Sequence, residues 1–243
     1  MGAIQQVLLG SSAAVNNYAT LVLASSPYVY WRLNQTSGTS ATDSSGNGRH
    51  GVYTRDASNT TTPGLLNNST DTAYLGPAAT SSPVSGITWG SAADPGNNFT
   101  ATVIIRPSGV PPVSGAGGVM QLGANGLGCP QVVCVDQGSG MFKLLVERSG
   151  VATIITSSSS WAYGTKLHVK LSRNTGNAIN LRVNGVSEGS ATNAFPSATT
   201  ITRVGQMNPG GGVSFQFAGV IDEFVLWNSF ISDTTTDAQY AAI

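Results

Sequence analysis

The sequence predicts an all-β protein, an antiparallel β-sandwich preceded by a short N-terminal segment. Three observations carry this. The polar residues are mostly Ser, Thr, Asn and Gly, with 30 glycines among 243 residues, a composition of strands and turns rather than of helices. Short runs of β-branched and aromatic residues recur at regular spacing, as in a sandwich. Asn174-Thr175-Gly176-Asn177 and Asn184-Gly185 are hairpin turns, where Asn and Gly tolerate positive φ. As an all-β chain this length is one domain with room for a substantial core.

The elements follow in order. Residues 1–26 are apolar and rich in small side chains, and they form an extra strand, a short helix around Ala14 to Leu23, or an arm that orders against a partner. They are set apart as an N-terminal arm or anchoring segment, with 27–243 as the sandwich. Tyr28 to Leu33 is a strand, with Val29, Trp31 and Leu33 on one face by alternation. Thr36 to Ser40 turns the chain, and Asp43 to Gly51 is a Gly-rich loop. Further strands are expected at 72–75, 99–106, 117–122, 132–136, 141–147, 151–156, 166–172, 178–184, 200–205 and 213–227. The connections 77–98 and 107–116 carry Pro77, Pro83, Pro95, Pro107, Pro111 and Pro112 and read as long loops, where partners bind. Ser232 caps a terminal helical turn from Asp233 to Tyr240.

Charge excludes some partners. Charged residues make up 9% of the chain, and 11 Lys+Arg balance 11 Asp+Glu. Nucleic-acid binding needs a basic face and has no support. So little charge does not oppose self-association, which suits a homo-oligomer or multi-copy assembly. No stretch approaches the roughly 18 apolar residues of a membrane span. Met1 to Gly10 lacks a basic region, and Gln5 and Gln6 interrupt its apolar run, so no secretory signal is expected. Cys129 and Cys134 enclose four residues, Pro130-Gln131-Val132-Val133. A small loop disulfide is favoured there over two buried thiols.

Several motifs stand in a family's order. Tyr30-Trp31-Arg32-Leu33 runs into Asp43-Ser44-Ser45-Gly46-Asn47-Gly48-Arg49-His50-Gly51. Gly64-Leu65-Leu66 precedes Asp71-Thr72-Ala73-Tyr74-Leu75. Phe99-Thr100-Ala101-Thr102-Val103-Ile104-Ile105-Arg106-Pro107 has Ile104 where the family pattern has an aromatic. Ile179-Asn180-Leu181-Arg182-Val183-Asn184-Gly185 is a hairpin, and Phe217 to Trp227 closes the series. From about residue 27 to 242 the chain resembles the concanavalin A-like, laminin-G-like jelly-roll domains. The resemblance implies that the first and last strands pair, with Trp31 and Trp227 buried. It also implies a cation option. In the family the Asp-x-Ser-Gly-x-Gly loop and the Ile-Asp-Glu strand meet at calcium, so Asp43, Asn47 and Asp222 are the candidate metal ligands. The competing reading pairs Asp222 or Glu223 with Arg32, since a buried carboxylate is costly unless paired. Gln35 stands where the family often has Glu, which removes a charge from any local network.

No catalytic residue is assigned. Glycoside hydrolysis needs two carboxylates flanking the sugar. The three glutamates, Glu147, Glu188 and Glu223, have no same-face carboxylate two or four residues away, and Asp222 and Glu223 are adjacent and therefore on opposite faces. Gly185-Val186-Ser187-Glu188-Gly189 matches a nucleophile-elbow pattern but follows a hairpin with no helix after it. Pro209-Gly210-Gly211-Gly212 has no following helix or Lys and so is no phosphate loop. His50 fills a turn, and His168, alternating with Lys166 and Lys170, faces outward. Among aromatics able to stack on a sugar, namely Tyr53, Trp89, Trp161, Tyr163 and Trp227, Trp89 is the candidate exposed platform, while Trp161 and Tyr163 match a core position.

The expectation is a non-enzymatic virion structural or accessory protein, such as a phage capsid decoration, head fibre or tail component. It would bind through a lectin-like sandwich, with other virion proteins and host or mucosal glycans as partners. The alternative is a carbohydrate-binding module or secreted lectin, hence extracellular. No cofactor is expected apart from the calcium option. Ile4, Val7, Leu8 and Leu9 are the candidate apolar anchors of the N-terminal segment.

Overall fold

The computed structural model describes residues 17–54, 61–67, 69–76, 86–89, 96, 98–111, 115–123, 129–148, 152–192, 202–207 and 215–243. The chain begins with α1 (Asn17–Ala24), β1 (Val29–Trp31), β2 (Ser40–Ala41), β3 (Gly51–Tyr53), β4 (Thr61–Pro63), β5 (Thr72–Gly76) and β6 (Ile87–Trp89). It continues through β7 (Phe99–Pro107), β8 (Ala116–Leu122), β9 (Pro130–Gly138), β10 (Met141–Arg148), β11 (Ala152–Thr156), β12 (Trp161–Ala162) and β13 (Leu167–Arg173). The last elements are β14 (Ala178–Val183), β15 (Val186–Thr192), β16 (Thr202–Val204), β17 (Gln206–Met207), β18 (Phe215–Gln216), β19 (Gly219–Trp227) and α2 (Asp233–Tyr240).

Two antiparallel sheets form the sandwich. The first runs β15-β14-β13-β7-β19-β5-β4, with β1 also on β19, and the second runs β11-β10-β9-β8-β16-β6-β3-β2, with β12 on β10. Between them lies one large apolar cluster that includes Trp31, Phe99, Val103, Met120, Val132, Phe142, Leu171 and Phe224. A smaller cluster lies on the other side of the first sheet, where Tyr18 and Val22 of α1 meet Tyr30, Leu65, Ile104, Val225 and Trp227. The helix option for the N-terminal segment is therefore the one adopted over Asn17–Ala24, and this part of the segment packs on its own sandwich. Ile4, Val7, Leu8 and Leu9 lie outside the described residues. No described helix is long and apolar enough to cross a membrane.

The first and last long strands pair as expected. Val29, Tyr30 and Trp31 stand opposite Leu226, Val225 and Phe224, and Trp31 and Trp227 are both buried. Trp227 Nε1 donates to the Ser25 carbonyl at 3.1 Å, tying the end of α1 to β19. Asn184 and Gly185 have φ of 51° and 76°, a two-residue turn with positive φ at both centres that matches the strand twist of the β14–β15 hairpin. Ser232 Oγ accepts from the Thr235 N–H at 3.3 Å and caps α2.

Some expectations fail here. The 77–98 connection contains β6, a three-residue strand whose Ile87 and Trp89 turn inward while Thr88 turns out. Its Gly- and Pro-rich flanks hide it from periodicity. The expected strand at 213–227 is broken before Gly219, with β18 pairing β17 instead. Cys129 and Cys134 are both buried and are not joined in a disulfide. Extended backbone between them sets their Cα atoms about 16 Å apart, too far for a disulfide. Burial pushes the Cys134 thiol up to about 12, so it is an inert core group.

Strict alternation also fails in β19. Asp222 pairs with Ile104 and Val225 with Thr102, so three steps on β19 match two on β7. This is a β-bulge, and Glu223 sits in it at φ 52°. Ile221, Phe224 and Leu226 consequently face the inter-sheet core, and Val220, Val225 and Trp227 face the helices.

Candidate functional site

The bulge lies at a notch. β7 runs along one edge of β19, but the other edge is shared by β5, opposite Gly219–Ile221, and β1, opposite Phe224–Leu226. Asp222 and Glu223 fall where those two strands leave a gap. Glu223 accepts from Tyr30 O–H and from Arg32 Nε at 3.3 Å, and Arg32 also pairs with Asp71. The expected Arg32 partnership is thus present, with Glu223. Asp222 Oδ2 accepts from the Leu65 N–H at 2.7 Å, which satisfies backbone left unpaired by the notch, while Oδ1 has no hydrogen-bond partner.

Burial raises the pKa of both carboxyls well above the usual range, and the Arg32 charge opposes this. Glu223 holds a cation and a hydroxyl donor and Asp222 a main-chain N–H, so we place the charge on Glu223 and the proton on Asp222. The adjacency that was expected to separate these two carboxylates is overturned by the bulge. They are nonetheless 1% and 0% exposed, which leaves no room for a sugar and a water between them.

The linkage has a definite sign. A carboxyl whose folded pKa is raised stabilises the fold at acid pH, and that contribution is lost as pH rises from about 4 through neutrality. His168 works against it below about 6.5, because burial lowers its pKa to about 4. Comparison with Asp222→Asn isolates the carboxyl. Thermal melts at pH 4 to 9 should show the variant level with the wild type at pH 4 and progressively more stable above it. Parallel curves would remove Asp222 as the proton holder.

The calcium set is not assembled. Asp43 Oδ1 accepts from the N–H groups of Tyr30 and Ser45, both at 3.0 Å, and Oδ2 from that of Arg49 at 2.9 Å. Asn47 turns its amide nitrogen to the carbonyls of Pro27 and Tyr28 at 3.1 and 3.2 Å. Asp222 serves Leu65. Asp43 thus spends both oxygens on main-chain donors, which hold its carboxyl below the ordinary range despite burial. Among the described residues no group of three or more His, Cys, Asp or Glu is placed to hold a metal.

Other candidates are also relocated. Trp89 is 5% exposed, with its ring 6.3 Å from Trp31 and 6.2 Å from Tyr28; alternation in β6 turns it into the core rather than outward. Tyr53 and Trp227 are buried, while Trp161 and Tyr163 are half-buried against Phe142. His50 Nδ1 accepts from the Asp43 N–H at 3.1 Å and completes the loop turn. His168 does face away from the sandwich, but the helices cover it, and it lies between Tyr18 and Tyr240. Lys170 beside it is buried with Asp233 Oδ1 at 2.7 Å and anchors α2. Glu188 is bound by Ser158 and Ser159.

Cross-strand register reveals a row that no single segment of sequence displays. On the second sheet Glu147 stands opposite Gln131, Gln131 opposite Gln121, Gln121 opposite Arg203, Arg203 opposite Thr88, and Thr88 opposite Val52. Their neighbours Met120, Val132, Val146 and Val204 are in the inter-sheet core, so the row faces away from it. Six strands at about 4.8 Å give a span of about 24 Å. Gln131 Nε2 donates to Glu147 at 3.0 Å, but buried Gln131 Oε1 has no hydrogen-bond partner. The row passes from buried Gln121 and Gln131 to half-buried Arg203 and Thr88 and open Val52. The only local trace in the sequence is a lone polar residue inside each apolar run, as in Met120-Gln121-Leu122.

A sandwich of two large antiparallel sheets, with one sheet backed by short helices, defines the class of lectin-like β-sandwiches. The family model Laminin_G_3, described as the concanavalin A-like lectin/glucanases superfamily, matches residues 81–235, and the chain belongs to that superfamily. Among solved structures, Trypanosoma rangeli sialidase in complex with sialic acid is similar with a TM-score of 0.64 and 12% identity over 89% of this chain and 33% of the sialidase. The native heptameric SAP-like pentraxin of Limulus polyphemus gives 0.53 and 14% over 67% of this chain and 78% of the pentraxin. Domain 4 of AbnA, an extracellular GH43 arabinanase of Geobacillus stearothermophilus in complex with arabinotriose, gives 0.51 and 19% over 87% and 97%. This chain therefore spans about a third of the sialidase's length. At these identities the likeness is one of fold, and the fold is shared by enzymes and non-enzymatic lectins alike. A search of curated proteins finds no match.

Proposed function

We propose that the chain is a non-enzymatic, lectin-like binding domain that serves as a structural or accessory component of a virion, on a phage capsid or tail. The observation that carries the binding reading is the row Glu147-Gln131-Gln121-Arg203-Thr88 in register across the second sheet. The half-buried members Glu147, Arg203 and Thr88 present carboxylate, guanidinium and hydroxyl groups of the kind that grip sugar hydroxyls, and buried Gln131 braces Glu147 with its amide. The non-enzymatic reading rests on the Asp222–Glu223 pair being enclosed and on Glu188 being tied to Ser158 and Ser159. The virion setting is supported by composition: a balanced, sparsely charged surface of Ser, Thr, Asn and Gly suits dense packing among identical neighbours.

Two measurements test it. Glycan-array binding by the purified protein should select defined oligosaccharides, and Arg203→Ala or Glu147→Ala should weaken it about tenfold or more, roughly 1.4 kcal/mol. Mass-spectrometric inventory of purified particles should contain the chain. An empty array sinks the glycan reading, and absence from particles sinks the virion reading.

A further inference from the structure

A cleft of about 470 Å³ opens at one end of the sandwich, lined by Leu23, Tyr28, Ser45, Asn47, Arg49 and Asn228 among others. That size is within the range of small-ligand sites. It brings together the end of α1, the Asp43–Arg49 loop and the residue after β19.

Arg49 is fixed there from several sides. Its N–H donates to Asp43 Oδ2 at 2.9 Å, and its carbonyl accepts from Trp31 Nε1 at 2.8 Å. Its Nη1 donates to the Tyr28 carbonyl at 3.3 Å, and the guanidinium lies 3.7 Å from the centre of the Tyr28 ring. Tyr28 in turn packs on buried Trp89. Among the described residues the acids that form ion pairs do so elsewhere: Asp71 and Glu223 pair with Arg32, and Asp233 and Asp237 pair with Arg182. Among the described residues Arg49 has no acidic partner. Asp43 and Asn47 brace the loop with their own hydrogen bonds.

A rigidly held guanidinium without a counter-charge presents a planar fork that matches a carboxylate. Ser45 and Asn228 add a hydroxyl and an amide around it, the partners that ring hydroxyls require, and Leu23 supplies one apolar wall. We propose that this cleft binds an acidic sugar, with the sugar carboxylate on Arg49. The site is separate from the polar row of the second sheet and does not depend on it, so either can fail alone.

The test is NMR titration of the full chain with methyl glucuronoside, methyl glucoside and a diglutamate peptide. The expected result is binding of the acidic sugar about tenfold or more tighter than the neutral one, with shifts centred on Tyr28, Arg49 and Asn228. Arg49→Gln should abolish that preference. Asn228→Phe, which fills the cleft from the β19 side and leaves the loop sequence unchanged, should lose the sugar while melting like the wild type, and it carries the test if Arg49→Gln fails to fold. The proposal is overturned by equal affinity for both sugars, by no binding of either at millimolar concentration, by peptide binding as tight as the acidic sugar's, or by an unchanged preference in Asn228→Phe.

Discussion

Arg32→Ala is expected to destabilise the protein by about 3–5 kcal/mol at pH 8, the cost of stripping the partner from a buried charge. The side chain is only partly enclosed, at 23% exposed, but Glu223 opposite it is at 1%. Without Arg32, the Tyr30 hydroxyl is left as the donor on a carboxylate that water does not reach. The carboxylate escapes by taking a proton, so the loss should shrink on acidification. Glu223→Gln removes the charge itself and should restore much of the stability, so that the double variant is more stable than the two single losses together predict. Chemical denaturation of the four proteins at pH 5 and pH 8 measures this. Additive losses at both pH values would mean that Arg32 acts only by packing over the notch.

Trp31→Ala should cost about as much, 3–5 kcal/mol, through a different mechanism. Trp31 is fully buried, with ring centres 5.3 Å from Phe224 and 6.3 Å from Trp89. The fit is close enough that a Cβ on Gly51 would come within 3.0 Å of the indole. Removing the ring leaves a cavity in the main core and frees the Arg49 carbonyl from its Nε1 donor. At about 2–4 °C per kcal/mol for a domain this size, the melting temperature should fall by roughly 6–20 °C. A drop of only 1–2 °C would show that the core collapses around the void.

The sequence carried the framework well because the framework is built from local signals. The apolar run in Phe217–Trp227, the Trp31 strand, the Asn184-Gly185 turn and the Ser232 cap each declare themselves within a few residues. What stayed hidden depends on register or on unusual backbone. Glu223 occupies positive φ, for which Gly or Asn is the usual marker, so the bulge and the regrouping of Asp222 with Glu223 had no visible cue. Ile87-Thr88-Trp89 is too short to show a period, so the sequence alone places Trp89 in a loop. Asp43 looked like a cation ligand because an acid in a Gly-rich loop is equally suited to collecting main-chain N–H groups. The Gln121–Arg203 row exists only once strands far apart in sequence are laid side by side.

The seat of β19 also sets an order of assembly. It fills a slot bounded by β7 on one edge and by β5 and β1 on the other, and its Glu223 meets Tyr30 across 193 residues of chain. During synthesis the first sheet would therefore wait in two halves with facing open edges, and Trp31 would lack its Phe224 cover, until residue 227 had left the ribosome. Closing so long a loop costs entropy before any contact repays it. Slow maturation and vulnerability to edge pairing in the newborn chain follow from the same strand that makes the finished sandwich rigid.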